Sequence, residues 1–82
     1  MKTMETQLRN VTEFLNDIAV SINEFYNIEI TDYRCTLMSY ADYLLINKIS
    51  KGMMIEPKLN SNNHFEFVNE TKTIRIVLTL KP

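Results

Sequence analysis

Seven apolar residues near the start of the chain recur at alternating steps of four and three positions: Met4, Leu8, Val11, Leu15, Ile18, Ile22 and Phe25. This spacing places all of them on one narrow stripe of an α-helix, as in the seam of a coiled coil or helical hairpin. The pattern predicts a helix from about Thr3 to Asn27. Its stripe must be buried inside the domain or against a second copy of the chain. In the second case the six residues from Leu8 to Phe25 would form the seam of a homodimer.

The next segment fits two patterns. Ile28-Glu29-Ile30-Thr31 alternates between apolar and polar positions and is compatible with a short strand. From Tyr33 onward, six apolar residues share one helical face: Leu37, Met38, Ala41, Leu44, Leu45 and Ile49. We therefore predict one long helix that is capped by Thr31 or Asp32 and reaches Lys51.

A shorter second helix is the alternative. The capping-box spacing Ser39-x-x-Asp42 would start the helix there and leave residues 33–38 extended. Both versions end at Gly52, the only glycine of the chain, which follows Lys48 and Lys51. A glycine at this place suits the left-handed residue after a helix, and lysines suit the negative end of the helix dipole.

The last third of the chain has the pattern of β-structure. Met53–Leu59 predicts a weak strand, which Pro57 restricts to a sheet edge because proline has no amide hydrogen. An asparagine-rich loop follows at residues 60–63. Residues 64–68 and 73–80 then predict a hairpin across residues 69–72. The predicted register pairs Val68 with Thr73, Phe67 with Ile74, Glu66 with Arg75 and Phe65 with Ile76.

These elements predict a single α+β domain over residues 1–82. Two amphipathic helices would pack on one face of a three-stranded antiparallel β-meander, in the order ααβββ. A chain of 82 residues has room for one small core. Small domains often gain stability by self-association, and here the stripe of the first helix offers the surface for it.

Composition narrows the function classes. The net charge is −1, and its charges are scattered, without a basic block for phosphates or an apolar run long enough to span a membrane. The single cysteine fits a reducing compartment, so we expect a cytoplasmic protein. Residues with AT-rich codons are abundant, with 32 Lys, Ile, Asn, Phe and Tyr against 8 Gly, Ala, Arg and Pro. This bias suggests an AT-rich genome such as that of a phage.

The residues that could carry chemistry are few. Cys35 has Arg34 beside it but no base nearby in sequence, and His64 opens a strand. Neither belongs to a spacing that binds a metal, and one glycine cannot build a phosphate-binding loop. We therefore expect no enzyme activity, no cofactor and no metal.

The end of the chain resembles winged-helix regulators in outline. Residues 51–55 would close a recognition helix at Gly52, and the hairpin that ends at residues 76–82 would form the wing. The resemblance implies DNA binding, with a cationic edge drawn from Lys48, Lys51, Lys58, Lys72 and Arg75. Two features depart from it: Gly52 follows Thr31 by only 21 positions, which is short for two helices and a turn, and Asp42 lies in the candidate recognition helix.

A protein-binding role has a second feature besides the stripe. Tyr33, Tyr40, Tyr43 and Asn47 fall at helical steps on a face away from the apolar one. Exposed tyrosines are typical of interfaces because they offer large contact area at low entropic cost. The sequence thus predicts a small non-enzymatic regulator or inhibitor that occupies the surface of a partner protein, with DNA binding as the alternative.

Overall fold

The computed structural model describes residues 4–31 and 33–81, with Met4 described for its backbone only. The predicted helix start at Thr3 and the predicted cap Asp32 lie outside these residues. The described elements are α1 (Met4–Asp17), a 3-10 turn (Ile22–Glu24), β1 (Asn27–Ile30), β2 (Cys35–Ala41), α2 (Tyr43–Met53), β3 (Lys58–Leu59), β4 (Phe65–Val68) and β5 (Ile74–Leu80).

The strands form one five-stranded mixed sheet in the order β1-β2-β5-β4-β3. Its two central strands, β2 and β5, run parallel, and the other neighbours are antiparallel. The predicted three-stranded antiparallel meander is therefore wrong. Residues 35–41, which we assigned to the long second helix, form the central strand β2 instead. The alternating residues after Asn27 form the edge strand β1, as their pattern allowed.

The core lies between one face of this sheet and the two helices. Alternate residues of the central strands are buried on that face, among them Leu37 of β2 and Ile76 of β5. Both helices contribute to the same buried cluster, α1 through Val11 and Leu15 and α2 through Ile46 and Ile49. Ile18, directly after α1, joins the same cluster. Each fully buried Leu or Ile stabilises the fold by roughly 1.5–3 kcal/mol before chain entropy is counted.

The first helix is shorter than its apolar stripe predicted. It ends at Asp17 because Ala19 adopts a left-handed backbone with φ 59°, and Val20 N–H donates to Leu15 O at 2.8 Å. This i→i−5 bond with a left-handed residue before it is the Schellman way of ending a helix. Ile22 and Phe25 still reach the core, but from the 3-10 turn and the segment after it.

The predicted long second helix is also wrong. Residues 35–41 are extended, and α2 begins at Tyr43 with Asp42 as its N-cap. The Asp42 carboxylate accepts a hydrogen bond from Leu45 N–H at 2.9 Å, which satisfies one of the free amides of the first turn. Ser39 belongs to β2, where it is buried and its hydroxyl donates to Glu24 O. The structure is thus nearer to the shorter alternative, although Ser39 does not cap the helix.

Gly52 does not end the second helix. It lies inside α2, and the left-handed C-cap residue is Met54, with φ 57° and an N–H that donates to Ser50 O. A Cβ atom on Gly52 would lie 2.6 Å from the Cβ atom of Ile18, which is closer than van der Waals contact allows. Glycine at this position therefore lets the end of α1 approach α2 closely.

The last hairpin forms with a register shifted by two residues from the predicted one. Phe67 pairs with Ile76, Phe65 with Leu78 and Val68 with Arg75. Asn69 sets this register, since its N–H donates to Ile74 O and its side-chain oxygen accepts from Ile74 N–H at 2.9 Å. The shift by two keeps both phenylalanines on the core side. The predicted strand 53–59 shrinks to Lys58–Leu59, an edge strand that follows Pro57.

Gly52→Ala tests the close approach of the helices. In an exposed helix interior this change stabilises a protein by about 1 kcal/mol, whereas here we expect a loss of roughly 1–3 kcal/mol, because the new methyl group overlaps Ile18. Chemical denaturation of both proteins measures the difference. Asn47→Ala, at an exposed position of the same helix, is the matched control and should leave stability within about 0.7 kcal/mol. A Gly52→Ala protein more stable than the wild type would contradict the contact.

Leu15→Ala tests whether the stripe of α1 is buried within its own domain. Leu15 is 1% exposed in the core, so we expect the free energy of unfolding to fall by about 2–5 kcal/mol. Leu8→Ala is the control on the same stripe. Because Leu8 is 40% exposed, this substitution should lower the free energy of unfolding far less. The unfolding midpoint of the wild type should not depend on protein concentration. A midpoint that rises with concentration would show that a second copy covers the stripe.

Candidate interaction surface

One face of the sheet is not covered by either helix among the described residues. Both helices pack on the opposite side, where they share the core with the inward residues of the strands. The strand registers place eleven residues on the uncovered side, which we call the open face: Asn27, Glu29, Thr36, Met38, Tyr40, Lys58, Glu66, Val68, Arg75, Val77 and Thr79.

The middle of the open face is a row that crosses all five strands. The registers align Asn27, Met38, Val77, Glu66 and Lys58 side by side. Val77 is only 4% exposed although neither α1 nor α2, as far as they are described, lies over it, because Met38 and Glu66 flank it on the neighbouring strands. The centre of the face is therefore a packed apolar strip with polar residues at both ends.

Two tyrosines stack on each other at one end of the open face. The rings of Tyr26 and Tyr40 have centroids 4.9 Å apart and an angle of 22° between their planes. Both remain largely exposed, at 57% and 55%. A stacked pair of this kind contributes about 0.5–1.5 kcal/mol beyond its buried area, so the rings hold each other in a fixed orientation. The pair therefore presents a preoriented aromatic surface to solvent.

A backbone irregularity turns Tyr26 toward its partner. The Tyr26 N–H donates to Met38 O at 3.0 Å, although Met38 is already the register partner of Asn27. Two residues of one strand therefore stand opposite one residue of the next, as in a β-bulge. Strict alternation would point Tyr26 and Asn27 to opposite faces, whereas here Tyr26 reaches Tyr40 on the open face.

The strand pair β4–β5 carries an ion pair on the open face. Arg75 Nη2 donates to Glu66 Oε2 at 3.0 Å, and Asn60 Nδ2 reaches the same oxygen at 3.4 Å. The hydrogen bond from Arg75 is the largest of the effects that lower the pKa of Glu66, and partial burial opposes them. Glu66 and Arg75 were expected directly opposite each other, and they meet diagonally across the shifted register.

The structure separates the tyrosines that the sequence grouped together. Tyr33 lies in the β1–β2 connection and is 86% exposed, whereas Tyr40 lies on the open face. Tyr43 and Asn47 share an exposed side of α2, one helical turn apart. The predicted single helical face is wrong because Tyr33 and Tyr40 are not in a helix. Sequence reasoning also missed Tyr26, whose only local signal was its place just before the alternating residues of β1.

The residues of the predicted dimer seam have different surroundings. Val11, Leu15 and Ile18 are buried in the core of their own chain, and Phe25 joins them from outside α1. Ile22 is half-buried, and Leu8 is exposed. The most apolar part of the stripe is thus already covered by the sheet and by α2.

The candidate reactive residues lie apart from one another. Cys35 faces the core from β2, and burial raises the pKa of its thiol, which stays neutral at pH 7. His64 is half-buried just before β4. Among residues 4–31 and 33–81, no group of three His, Cys, Asp or Glu side chains could hold a metal ion. Within the same residues, no helix is both long and apolar enough to cross a membrane.

The winged-helix outline does not extend to the described fold. In a winged-helix protein a positioning helix and a turn precede the recognition helix. Here strand β2 ends at Ala41, one residue before the N-cap of α2. The predicted cationic edge is divided as well, because Lys48 and Lys51 lie on α2, whereas Lys58 and Arg75 lie on the sheet.

Comparison with known proteins found no similar protein. No protein-family model, curated protein or solved structure matches this chain significantly.

The ion pair of the open face predicts a pH dependence of stability. The pKa of Glu66 is lower in the folded state than its ordinary value of 4.5, so the pair contributes fully above that pH. The contribution is lost as the pH falls through the folded-state pKa. Because the two side chains are 35% and 22% exposed, we expect less than about 1 kcal/mol.

Denaturation curves of the wild type and Glu66→Gln between pH 3 and pH 7, an experimental range of roughly four units, measure this contribution. The difference between the two proteins should be largest near neutral pH and shrink in acid. Glu70→Gln, in the exposed turn of the same hairpin, is the control. A Glu66→Gln curve that follows the control at every pH would contradict the role of the pair.

Proposed function

We propose that this chain is a small non-enzymatic binding protein that docks a partner protein on the open face of its sheet. In this role it acts as a regulator or inhibitor by occupying part of the partner's surface. The observation that carries the proposal is the exposed stack of Tyr26 on Tyr40 beside the apolar strip of Met38 and Val77.

The composition of the open face supports a protein partner. Tyrosine, methionine and arginine are enriched in protein interfaces, and all three are present on this face. The tyrosine rings are already fixed by their mutual contact, so docking would cost little side-chain entropy. Anchors of this kind often supply most of the binding free energy of an interface.

The charges of the open face favour protein over nucleic acid. Nucleic-acid affinity depends on several cations that neutralise phosphates. Here Arg75 is held by Glu66, and Glu29 adds a further negative charge near the same strands. The whole chain carries a net charge of −1. DNA binding is therefore kept as an outcome of the test and not as a second proposal.

The open face also suits docking better than α1 does. The apolar side chains of α1 are used in the core, whereas no described helix covers the open face. Association through the sheet would leave the fold of each chain unchanged. A homodimer through α1 would have to take Val11 and Leu15 out of the core of their own chain.

The test compares tyrosine variants that keep the fold. The tagged chain captures its partner from the native source, and titration calorimetry with the purified partner gives the affinity. We expect the double variant Tyr26→Ala, Tyr40→Ala to lose about 30-fold or more in affinity, the effect of one interface hot spot. Its stability should fall by only about 0.5–1.5 kcal/mol through loss of the stack.

Tyr33→Ala is the matched control, because Tyr33 is also exposed but lies at the opposite end of β2 from Tyr40. It should bind as the wild type does. Equal affinity of the double variant would refute docking at the tyrosine pair. A gel shift of duplex or single-stranded DNA at low salt that disappears in the double variant would replace the protein partner with a nucleic acid.

A further inference from the structure

A pocket of about 260 Å³ opens where β3, β4 and the β4–β5 turn meet, across the sheet from the tyrosine pair. Its lining consists of Ile55, Glu56, Lys58, Glu66, Val68, Asn69 and Lys72. Ligand pockets for drug-sized molecules usually measure about 300–1,000 Å³, so this one suits a smaller group.

The pocket combines free positive charge with an apolar wall. The side-chain ammonium groups of Lys58 and Lys72 have no hydrogen-bond or ion-pair partner within the part of the chain that the structure describes. Glu66, which also lines the pocket, forms an ion pair with Arg75, so the charge of Arg75 also contributes to the electrostatic surroundings of the pocket. Ile55 and Val68 are half-buried and supply apolar surface.

The local charge balance selects the kind of ligand. The pocket lining holds two lysines, Lys58 and Lys72, and two glutamates, Glu56 and Glu66, and the positive charges of Arg75 and Arg34 also act on Glu66. The surroundings of the pocket are therefore positive overall and favour an anion. The apolar wall adds preference for an anion that carries a hydrocarbon group.

The backbone of Lys72 is a second observation at this site. Lys72 has a left-handed conformation with φ 60°, which its N–H holds by donating to Asn69 O at 2.9 Å. Glycine or asparagine adopts this conformation more easily than lysine does. A strained residue at a pocket is a reason to look for a function of its side chain. Here the function is a second ammonium group beside Lys58.

We propose that this pocket binds a carboxylate on a short apolar stem, with the carboxylate between Lys58 and Lys72 and the stem on Ile55 and Val68. The ligand is a free aliphatic acid or the carboxyl-terminal residue of a peptide, which present the same chemistry. The pocket shares Lys58, Glu66 and Val68 with the open face but includes neither tyrosine, so this inference does not depend on the proposed docking at Tyr26 and Tyr40.

The experiment is a titration of the isotope-labelled protein followed by amide chemical shifts. The probes are isovalerate, the neutral isovaleramide and inorganic phosphate. We expect isovalerate to shift the amides of residues 55–58 and 66–72 with saturation, and isovaleramide to leave them unchanged. Equal binding of the amide would overturn the role of charge. Tighter binding of phosphate than of isovalerate would overturn the carboxylate class.

The double variant Lys58→Gln, Lys72→Asn tests the two ammonium groups. Asparagine tolerates the left-handed backbone, so the turn should keep its shape and the fold its stability. We expect isovalerate affinity to fall by at least about tenfold, since each lysine provides a charge-assisted hydrogen bond. Lys48→Gln, at an exposed position of α2, is the control and should bind isovalerate as tightly as the wild type does. Unchanged affinity in the double variant would overturn the proposal.

A pair of short peptides that end in leucine, one with a free carboxyl terminus and one amidated, distinguishes the two sources. Tighter binding of the free peptide than of isovalerate identifies a peptide terminus as the ligand. Binding no tighter than isovalerate identifies a free acid. If neither the free peptide nor isovalerate shifts residues 55–58 and 66–72, the site is refuted, whatever the result at the tyrosine pair.

Discussion

The parallel pairing of β2 with β5 joins residues 35–41 to residues 74–80 at the centre of the sheet. Parallel neighbours need a long crossover, and here the crossover contains α2, β3 and β4. The inward side chains of the two strands form the floor on which both helices pack, with Leu37 and Ile76 fully buried side by side. The edge strands, the helix packing and the open face all follow from this central pair. Its formation brings together residues about half a chain apart, so it is also the entropically demanding step of folding.

The elements that local chemistry determines could be predicted from the sequence. The β4–β5 hairpin follows from alternation on both sides of a polar turn, and β1 follows from Ile28-Glu29-Ile30-Thr31. The position of Pro57 just before the edge strand β3 is explained by the missing amide hydrogen. The exact hairpin register was not predictable in the same way. It depends on Asn69, whose side chain replaces a ladder partner and so lengthens the turn by two residues.

The errors arose where one pattern fits two structures. Positions i and i+4, such as Leu37 and Ala41, lie on the same side of both a helix and a strand, so β2 resembled part of a helix. The apolar stripe likewise continues to Phe25, although the left-handed backbone of Ala19 ends α1. No glycine or proline at this place in the sequence indicates the end of the helix. The grouping of the tyrosines on one helical face was wrong for a related reason. Tyr26 and Tyr40 meet only through a bulge and a strand pairing, and neither is encoded in the local spacing of tyrosines.

No described helix covers the open face, and its side chains limit how much apolar surface meets solvent. Val77 at the centre of the face is shielded by its neighbours Met38 and Glu66, so little apolar surface is exposed there. Polar and charged groups then occupy the margins, where Arg75 neutralises Glu66. Against this background the exposed tyrosine pair and the strained Lys72 are the exceptions, since neither is needed to bury the core. Side chains that a fold keeps at a cost, and that its own packing does not use, are the ones most reasonably assigned to contacts with other molecules.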